Sequence, residues 1–454
     1  MNWSLLRVTA RTIPACRVFA LAFCAANSLV GCEALLRASN YDVGGPGLND
    51  GTGGGTPAAS GAGGVGGANG NGGNGGNGGN GGNGGNGGNG GAGGAGGNGG
   101  NGGANGTACP SGTSATFAAK VDYATGAAPY GVAVGDFNAD GKPDLAVSNY
   151  NDNTVSVLLN NGTGTFGTKV DYFAGVKPTK LAVGNFNADG KPDLVIVTPA
   201  DNNTVVVLLN NGNGTFGTRV DYATGVDPYG VAVGDFNADG KPDLAVSNYV
   251  AYTVSVLLNN GNGTFGTKVD YAAGVKPHGV AVGNFNADGK PDLVIVNVGD
   301  NTVSVLLNNG NGTFAAKVDY ATGTTPVEVA VGDFNADGKS DLVVMNGDKS
   351  LSILLGNGNG GFAAKMDYAG GISPLGVAVG DFNADGRPDL ALVAGDLSIL
   401  LGNGNGTFAA KVDYATGGLG RSVAVGDFNA DGKPDLAVTK SDNASVSILL
   451  NECK

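Results

Sequence analysis

Histidine is nearly missing from this chain: among 454 residues there is one, His278. Glutamate is almost as scarce, found only at Glu33, Glu328 and Glu452, so the acidity is nearly all aspartate. Without a base and a nucleophile that stand out, catalysis has little to build on, and His278 reads as a surface-loop histidine, a lone catalytic base being the alternative. Basic residues are outnumbered, 25 against 38 acidic ones for a net charge of −13, and no basic patch with interleaved aromatics occurs. Such a surface repels phosphates, which excludes nucleic acid as a partner. No glycine-rich stretch ends in Gly-Lys-Ser/Thr, which excludes a phosphate-binding loop. Helix signals are absent from the repeats that begin at residue 116. The apolar run 18–30 is too short to span a bilayer as a stable helix.

That run follows Arg7, Arg11 and Arg17, the order of a secretion signal. It ends Leu29-Val30-Gly31-Cys32, which resembles the lipobox of bacterial lipoproteins. The resemblance implies removal of residues 1–31, acylation of Cys32 and an exported protein at the outer membrane or cell surface, anchored by lipid alone. Ordinary cleavage near Ala26 is the alternative. Residues 32–108 then form a tether: 43–107 are dominated by Gly-Gly-Asn triplets with almost nothing apolar large enough to bury. As a glycine-rich coil, 65 such residues reach roughly 45 Å. An ordered glycine-rich or matrix-forming segment is the other reading of that composition.

From residue 116 the chain repeats itself, and residues 109–454 are expected to be one domain. The marker Gly-(Asp/Asn)-Phe-Asn-Ala-Asp-Gly occurs seven times, with loops that begin at Asp136, Asn185, Asp235, Asn284, Asp333, Asp381 and Asp427. Each unit of nearly 50 residues holds four strand-like runs, in the first copy 131–137, 144–148, 154–160 and 168–173. Alternation of Val155, Val157 and Leu159 against Thr154, Ser156 and Leu158 suits the two faces of a sheet, and Asn-Gly clusters supply hairpin turns. Four short antiparallel strands per unit make a propeller blade, so the fold class is all-β, a seven-bladed β-propeller. A fourth-strand signature, Val/Met-Asp-Tyr, precedes the first loop and none follows the last. If 116–123 completes the blade whose other strands lie in 421–450, the ring closes with no blade left short. Closure would bring Cys109 and Cys453 together, and a disulfide between them is expected, two unrelated thiols being the alternative.

The loops carry the chemistry. Asp136, Asn138, Asp140 and Asp144 stand at positions 1, 3, 5 and 9, with Gly141 at position 6 for a sharp turn. With a carbonyl at position 7 and water they can give calcium its six to eight oxygens. The later copies offer Asn185, Asn187, Asp189 and Asp193; Asp235, Asn237, Asp239 and Asp243; Asn284, Asn286, Asp288 and Asp292; Asp333, Asn335, Asp337 and Asp341; Asp381, Asn383, Asp385 and Asp389; and Asp427, Asn429, Asp431 and Asp435. Up to seven calcium ions are expected. Asn185 and Asn284 replace the first aspartate and lower the charge of their sites. Position 12 is Val147 rather than glutamate, and strands flank the loop, so this is not an EF-hand. Asp-Gly turns without metal are the alternative.

Loop and setting resemble the FG-GAP repeat, also called the VCBS repeat, of integrin α chains, fungal lectins and bacterial surface proteins. Phe166-Gly167 and Gly175-Val176-Lys177-Pro178 follow the family's Phe-Gly and Gly-Ala-Pro pattern, although several copies read Phe-Ala and 417–420 lacks the proline. The resemblance spans residues 116–450 and implies a seven-bladed propeller with calcium in the loop between strands one and two.

Those loops share a face with the three-to-four turns. On the other face the copies differ: after the repeated proline stand Tyr130, Thr179, Tyr229, His278, Val327 and Leu375, and the two-to-three loops hold Tyr150, Tyr249 and Tyr252. Tyr130, Tyr150, Tyr229, Tyr249, Tyr252 and His278 are the expected ligand-binding residues, for a glycan or an extracellular protein. Drift at exposed loop tips accounts for the same differences without a ligand. The chain is thus expected to be a monomeric, calcium-stabilised, surface-tethered binding module and not an enzyme. A structural surface protein without a ligand and a polysaccharide-acting enzyme are the competing readings.

Overall fold

The computed structural model describes residues 115–370 and 375–452, and over them the chain is built of strands and turns. The expected lipidation site Cys32, the tether, Cys109 and Cys453 lie outside the described residues. The first five strands set the pattern: β1 (Val121–Ala124), β2 (Pro129–Gly135), β3 (Asp144–Asn149), β4 (Thr154–Leu158) and β5 (Val170–Phe173). β2 to β5 pair in chain order as one four-stranded antiparallel sheet, blade 1. The same meander recurs over 181–223, 228–272, 277–321, 326–369 and 376–414, blades 2 to 6.

Blade 7 takes three strands from the end of the chain, Gly420–Gly426, Asp435–Lys440 and Ser445–Leu449, and its fourth is β1. β1 pairs antiparallel with Ser445–Leu449 in the register Val121↔Ile448 and Tyr123↔Val446. The offset read from the repeats therefore closes the ring. The first strand of each blade packs against that of the next, blade 7 against blade 1 included, so these strands line a central shaft.

Closure has its own polar lock. Asp122 accepts from Ser447 Oγ at 2.6 Å and lies 2.8 Å from the Nζ of Lys440, which is 1 % exposed. Blade 1 carries Asn149 where blade 7 has Lys440. Burial alone would raise the Asp122 carboxyl, but Lys120, Lys440 and Ser447 outweigh it and hold the group at about 2. Phe117 packs edge-on against Phe382 and Tyr414, and Glu452 N donates to Thr116 O at 2.7 Å.

Each blade buries both faces against its neighbours, which alters the alternation expected in strand three. Val155 to Leu158 are all buried, Ser156 included. Ser156 is accommodated because it donates to Asp171 Oδ1 at 2.6 Å and lies 2.8 Å from Asn149 Nδ2. Water reaches the outer strand, where Val170 and Asp171 are exposed. The largest buried side chains are the loop phenylalanines, with Phe137 at 0 % exposure. Phe137 meets Phe216 of blade 2 edge to face at 5.5 Å, and its carbonyl accepts from Gly214 N of that blade at 2.8 Å. Burial of such a ring stabilises by about 1.5–3 kcal/mol, and the aromatic pair adds roughly 0.5–1.5 kcal/mol. The same contact, Phe carbonyl to the next blade's Asn-Gly turn, recurs at Phe186, Phe236, Phe285, Phe334 and Phe428.

Candidate functional site

In each Asp-x-Asn loop the chain reverses through a left-handed residue at position 4 and a glycine at position 6, Ala139 (φ 60°) and Gly141 (φ 81°) in blade 1. That turn gathers the side-chain oxygens on one side. Asp136 Oδ1 and Asn138 Oδ1 both accept from Asp140 N, at 3.0 and 3.1 Å, while Asp136 Oδ2 takes Gly141 N at 2.8 Å. Asn185 and Asn284 keep the first of these bonds, to Asp189 N and Asp288 N at 3.1 Å. Asp144 is fully buried and ties the loop to the blade, accepting from Phe137 N at 2.9 Å and Asn160 N at 2.7 Å. Asp193, Asp243, Asp292, Asp341, Asp389 and Asp435 repeat that bridge.

Burial pushes the Asp144 carboxyl up to about 6, against the pull of its two N–H bonds, and the charges of Asp140 and Asp136 raise it further. Asp389 rises to about 7 for the same reasons. Negative charge is thus crowded at each loop, and one lysine only partly offsets it, Lys142 Nζ standing 3.2 Å from Asp140 Oδ2. Among the described residues no three Asp, Glu, His or Cys side chains close into a metal-ligating group by themselves. A cation would therefore draw on Asn138 and main-chain carbonyls as well as on Asp136, Asp140 and Asp144. This is the hard oxygen set that calcium takes, and the donor chemistry fits.

At the opposite end of β2 the pairing slips: Pro129 faces Asn149 but Val132 faces Val147, so one extra residue bulges inward. The bulge recurs in blades 3, 4, 5 and 7 and turns the residues after the proline, or after Gly420 in blade 7, toward the shaft. Tyr130, Tyr229 and His278 therefore sit within strands at the shaft mouth, not at exposed loop tips. The hydroxyls of Tyr130 and Tyr229 hydrogen-bond, the Tyr229 and His278 rings lie 3.5 Å apart between centroids, and His278 Nδ1 donates to Val327 O at 2.6 Å. Tyr150 stacks beside Tyr130, Tyr249 stands edge-on to His278, and Tyr252 is exposed in its turn.

Beneath them the shaft is crossed by an ion pair. Gly131, Gly230 and Gly279 occupy the second position after the proline, and a Cβ on Gly230 would lie 2.6 Å from His278 O. Blades 2 and 5 place Lys180 and Glu328 there instead, Nζ 2.6 Å from Oε2, both buried. Burial pulls Lys180 down, yet Glu328 outweighs it and holds the ammonium above its ordinary value. Burial, then the Lys180 charge, lower His278 to about 3, so its ring is neutral at neutral pH. Three pairs of neighbouring blades are also stitched: Ser148 donates to Thr179 O, Ser247 to His278 O at 2.5 Å and Thr439 to Tyr130 O at 3.1 Å. Sequence reasoning missed Lys180, Glu328 and these hydroxyls. The signal available was the break in the Pro-x-Gly pattern at Pro178-Thr179-Lys180 and Pro326-Val327-Glu328.

Seven four-stranded blades closed through an N-terminal strand, each with an Asp-rich loop between its first two strands, define a seven-bladed repeat propeller. The FG-GAP-like repeat family matches residues 136–196, 185–246, 235–295, 284–344, 333–392 and 390–438, and the chain belongs to that family. Such a fold suggests a binding or recognition module. No curated protein matches the chain. Among solved structures it is similar to BBS1N in complex with ARL6DN, at 11 % identity and TM-score 0.53 over 74 % of this chain and 96 % of that one. A catalytically inactive virginiamycin B lyase from Staphylococcus aureus with quinupristin gives 12 %, 0.53, 74 % and 99 %. A lectin of Agrocybe aegerita, described in specific recognition of non-reducing terminal N-acetylglucosamine, gives 20 %, 0.49, 70 % and 86 %. At these identities the likeness to the first two is one of fold.

Proposed function

We propose that this protein is a calcium-stabilised binding module, tethered at a bacterial surface, that recognises a glycan or an extracellular protein through the face opposite the Asp-x-Asn loops. One observation carries the reading. The loop face repeats blade after blade, whereas on the other face the differing side chains Tyr130, Tyr229, His278 and Arg421 meet one another at the shaft mouth. Tyrosines with an apolar body and a polar tip suit such contacts. Crowded carboxylates at the opposite loops support calcium as a folding ligand. Absence of catalysis is part of the proposal. It draws support from His278, whose lowered basicity and bond to Val327 O suit a packing role better than proton transfer. The surface location rests on the lipobox-like Cys32 and the glycine-rich segment.

A panel of glycans and matrix proteins probed with and without calcium tests this. Reproducible binding weakened by Tyr130→Ala or Tyr249→Ala is expected. Silence across the panel with a folded protein would favour a structural role, and turnover of a polysaccharide would revive catalysis.

A further inference from the structure

Among the described residues every lysine and arginine has a carboxylate within 4.0 Å except Lys177, Lys276, Lys349 and Arg421. The four are not scattered. Lys177 and Lys276 precede the prolines that lead into strand one, Lys349 lies in the two-to-three turn of blade 5, and Arg421 is the second residue of Gly420–Gly426. All belong to the face opposite the Asp-x-Asn loops. Elsewhere the chain neutralises its cations locally, by Lys-x-Asp pairs on outer strands and by the loop lysines.

Two of the four are held by aromatic rings. Lys177 Nζ lies 5.2 Å from the centroid of Tyr150, and Arg421 Cζ lies 5.2 Å from that of Tyr130. The two rings stack at 6.1 Å and 29°, so Lys177, Tyr150, Tyr130 and Arg421 form one row beside the shaft mouth. The carboxylates of the adjoining turns are engaged with main-chain N–H groups. Asp152 accepts from Ala127 N at 2.6 Å and Asp442 from Leu419 N at 2.8 Å. Arg421 makes one weak side-chain bond, Nε to Ser441 Oγ at 3.4 Å. A guanidinium fixed over a ring keeps a planar fork free for a carboxylate, and loses little further freedom on binding one.

We infer that this row recognises an acidic saccharide, with a uronate-type carboxylate seated on Arg421, Lys177 attracting a second one, and sugar hydroxyls against the tyrosine hydroxyls. The inference rests on the binding-module reading and names its ligand class. A nucleic acid is a poorer match. Only two cations stand in the row, Asp152 and Asp442 flank it, and the net charge of −13 opposes a polymer with a phosphate at every unit. A saccharide with a carboxylate on alternate rings has the lower charge density and the hydroxyls that the row can meet.

The test is a calorimetric titration of the full chain, at fixed calcium, with a hyaluronan tetrasaccharide and with the same tetrasaccharide methyl-esterified at its carboxylates. The acid form should bind at least tenfold more tightly than the ester and weaken as salt is raised. Arg421→Gln should remove that advantage with the melting temperature unchanged, Arg421→Lys should recover part of it, and Lys276→Gln, outside the row, should leave it intact. Equal binding of acid and ester, or an Arg421→Gln protein that still prefers the acid, overturns the inference. Tighter binding of a single-stranded oligonucleotide does so too. If neither form binds while another glycan of the panel does, the acidic-saccharide assignment falls and the binding-module reading stands. If nothing on the panel binds, that reading falls as well.

Discussion

Lys180 and Glu328 come from blades 2 and 5, 148 residues apart, and meet through the shaft with Nζ 2.6 Å from Oε2. Their side chains are 11 % and 5 % exposed. Removal of one partner strands the other charge in a dry site, which costs about 3–5 kcal/mol, whereas apolar replacement of both is often neutral. Lys180→Met should therefore destabilise strongly, and Lys180→Met/Glu328→Leu should recover most of the loss. Urea denaturation of both variants and of Lys276→Met, a half-buried control without a carboxylate partner within 4.0 Å, measures this. A Lys180→Met cost no larger than the control's would refute the buried pair.

His278 should impose a pH dependence of its own. Its folded value, about 3, lies below the ordinary 6.5, so unfolding is accompanied by proton uptake between the two. The stabilising share is fully present above 6.5 and drains as pH falls toward 3. His278→Phe removes that share, so the stability gap between wild type and variant should narrow by on the order of a few kcal/mol from pH 7 to pH 4. Tyr229, Tyr249, Lys180 and the Val327 carbonyl are the groups that face the ring, and burial of the tyrosines and the carboxylate beside Lys180 hold all three titratable groups above their ordinary values, far from that range. A gap that stays constant with pH would show the imidazole to be freely protonated.

Ring closure should depend on Asp122 more than any other blade depends on its matching aspartate. Asp122→Asn should lower the melting temperature more than Asp171→Asn, because only blade 7 has a buried Lys440 beneath that carboxylate. With its carboxyl held at about 2, Asp122 contributes above the ordinary value of 3.8, and the contribution disappears as pH falls through about 2. The difference between the two variants should accordingly be plain at pH 6 and shrink in strong acid. Equal melting temperatures at pH 6 would contradict it.

Calcium should raise the thermal midpoint, and a chelator should lower it. Each site filled at a hundred times its dissociation constant adds about 2.7 kcal/mol. Asn185→Asp and Asn284→Asp restore the first-position carboxylate and should strengthen the response, whereas Asp136→Ala should weaken it. Differential scanning fluorimetry across a calcium series reads the effect, and a midpoint indifferent to both calcium and chelator would remove the metal assignment.

The ring and its closing strand were legible because both are written as repeats. The Asp-Tyr of β1 has counterparts in every blade, and only its position ahead of the first loop needed interpretation. The shaft was not legible in the same way. Nothing local in Pro178-Thr179-Lys180 tells a solvent-facing lysine from a buried one, because its partner Glu328 is brought near by the curvature of the whole ring. For the same reason Tyr130 and Tyr229 read as loop tips: the bulge that turns them inward is set by pairing with Asn149 and Asn248, not by their own neighbours in the chain. Ser156 shows the same limit. Its place in an alternating run assigns it to one of two sheet faces, but only the ring shows that both sides of the inner strands are dry.

The 2.7 Å bond from Glu452 to Thr116 has a practical reading. Where the first and last strands of a propeller already lie side by side in one sheet, the seam between them has no privileged address. A short link across it, with a new opening cut at one of the blade-to-blade connections, should yield a permuted chain with the same circle of blades and the same shaft.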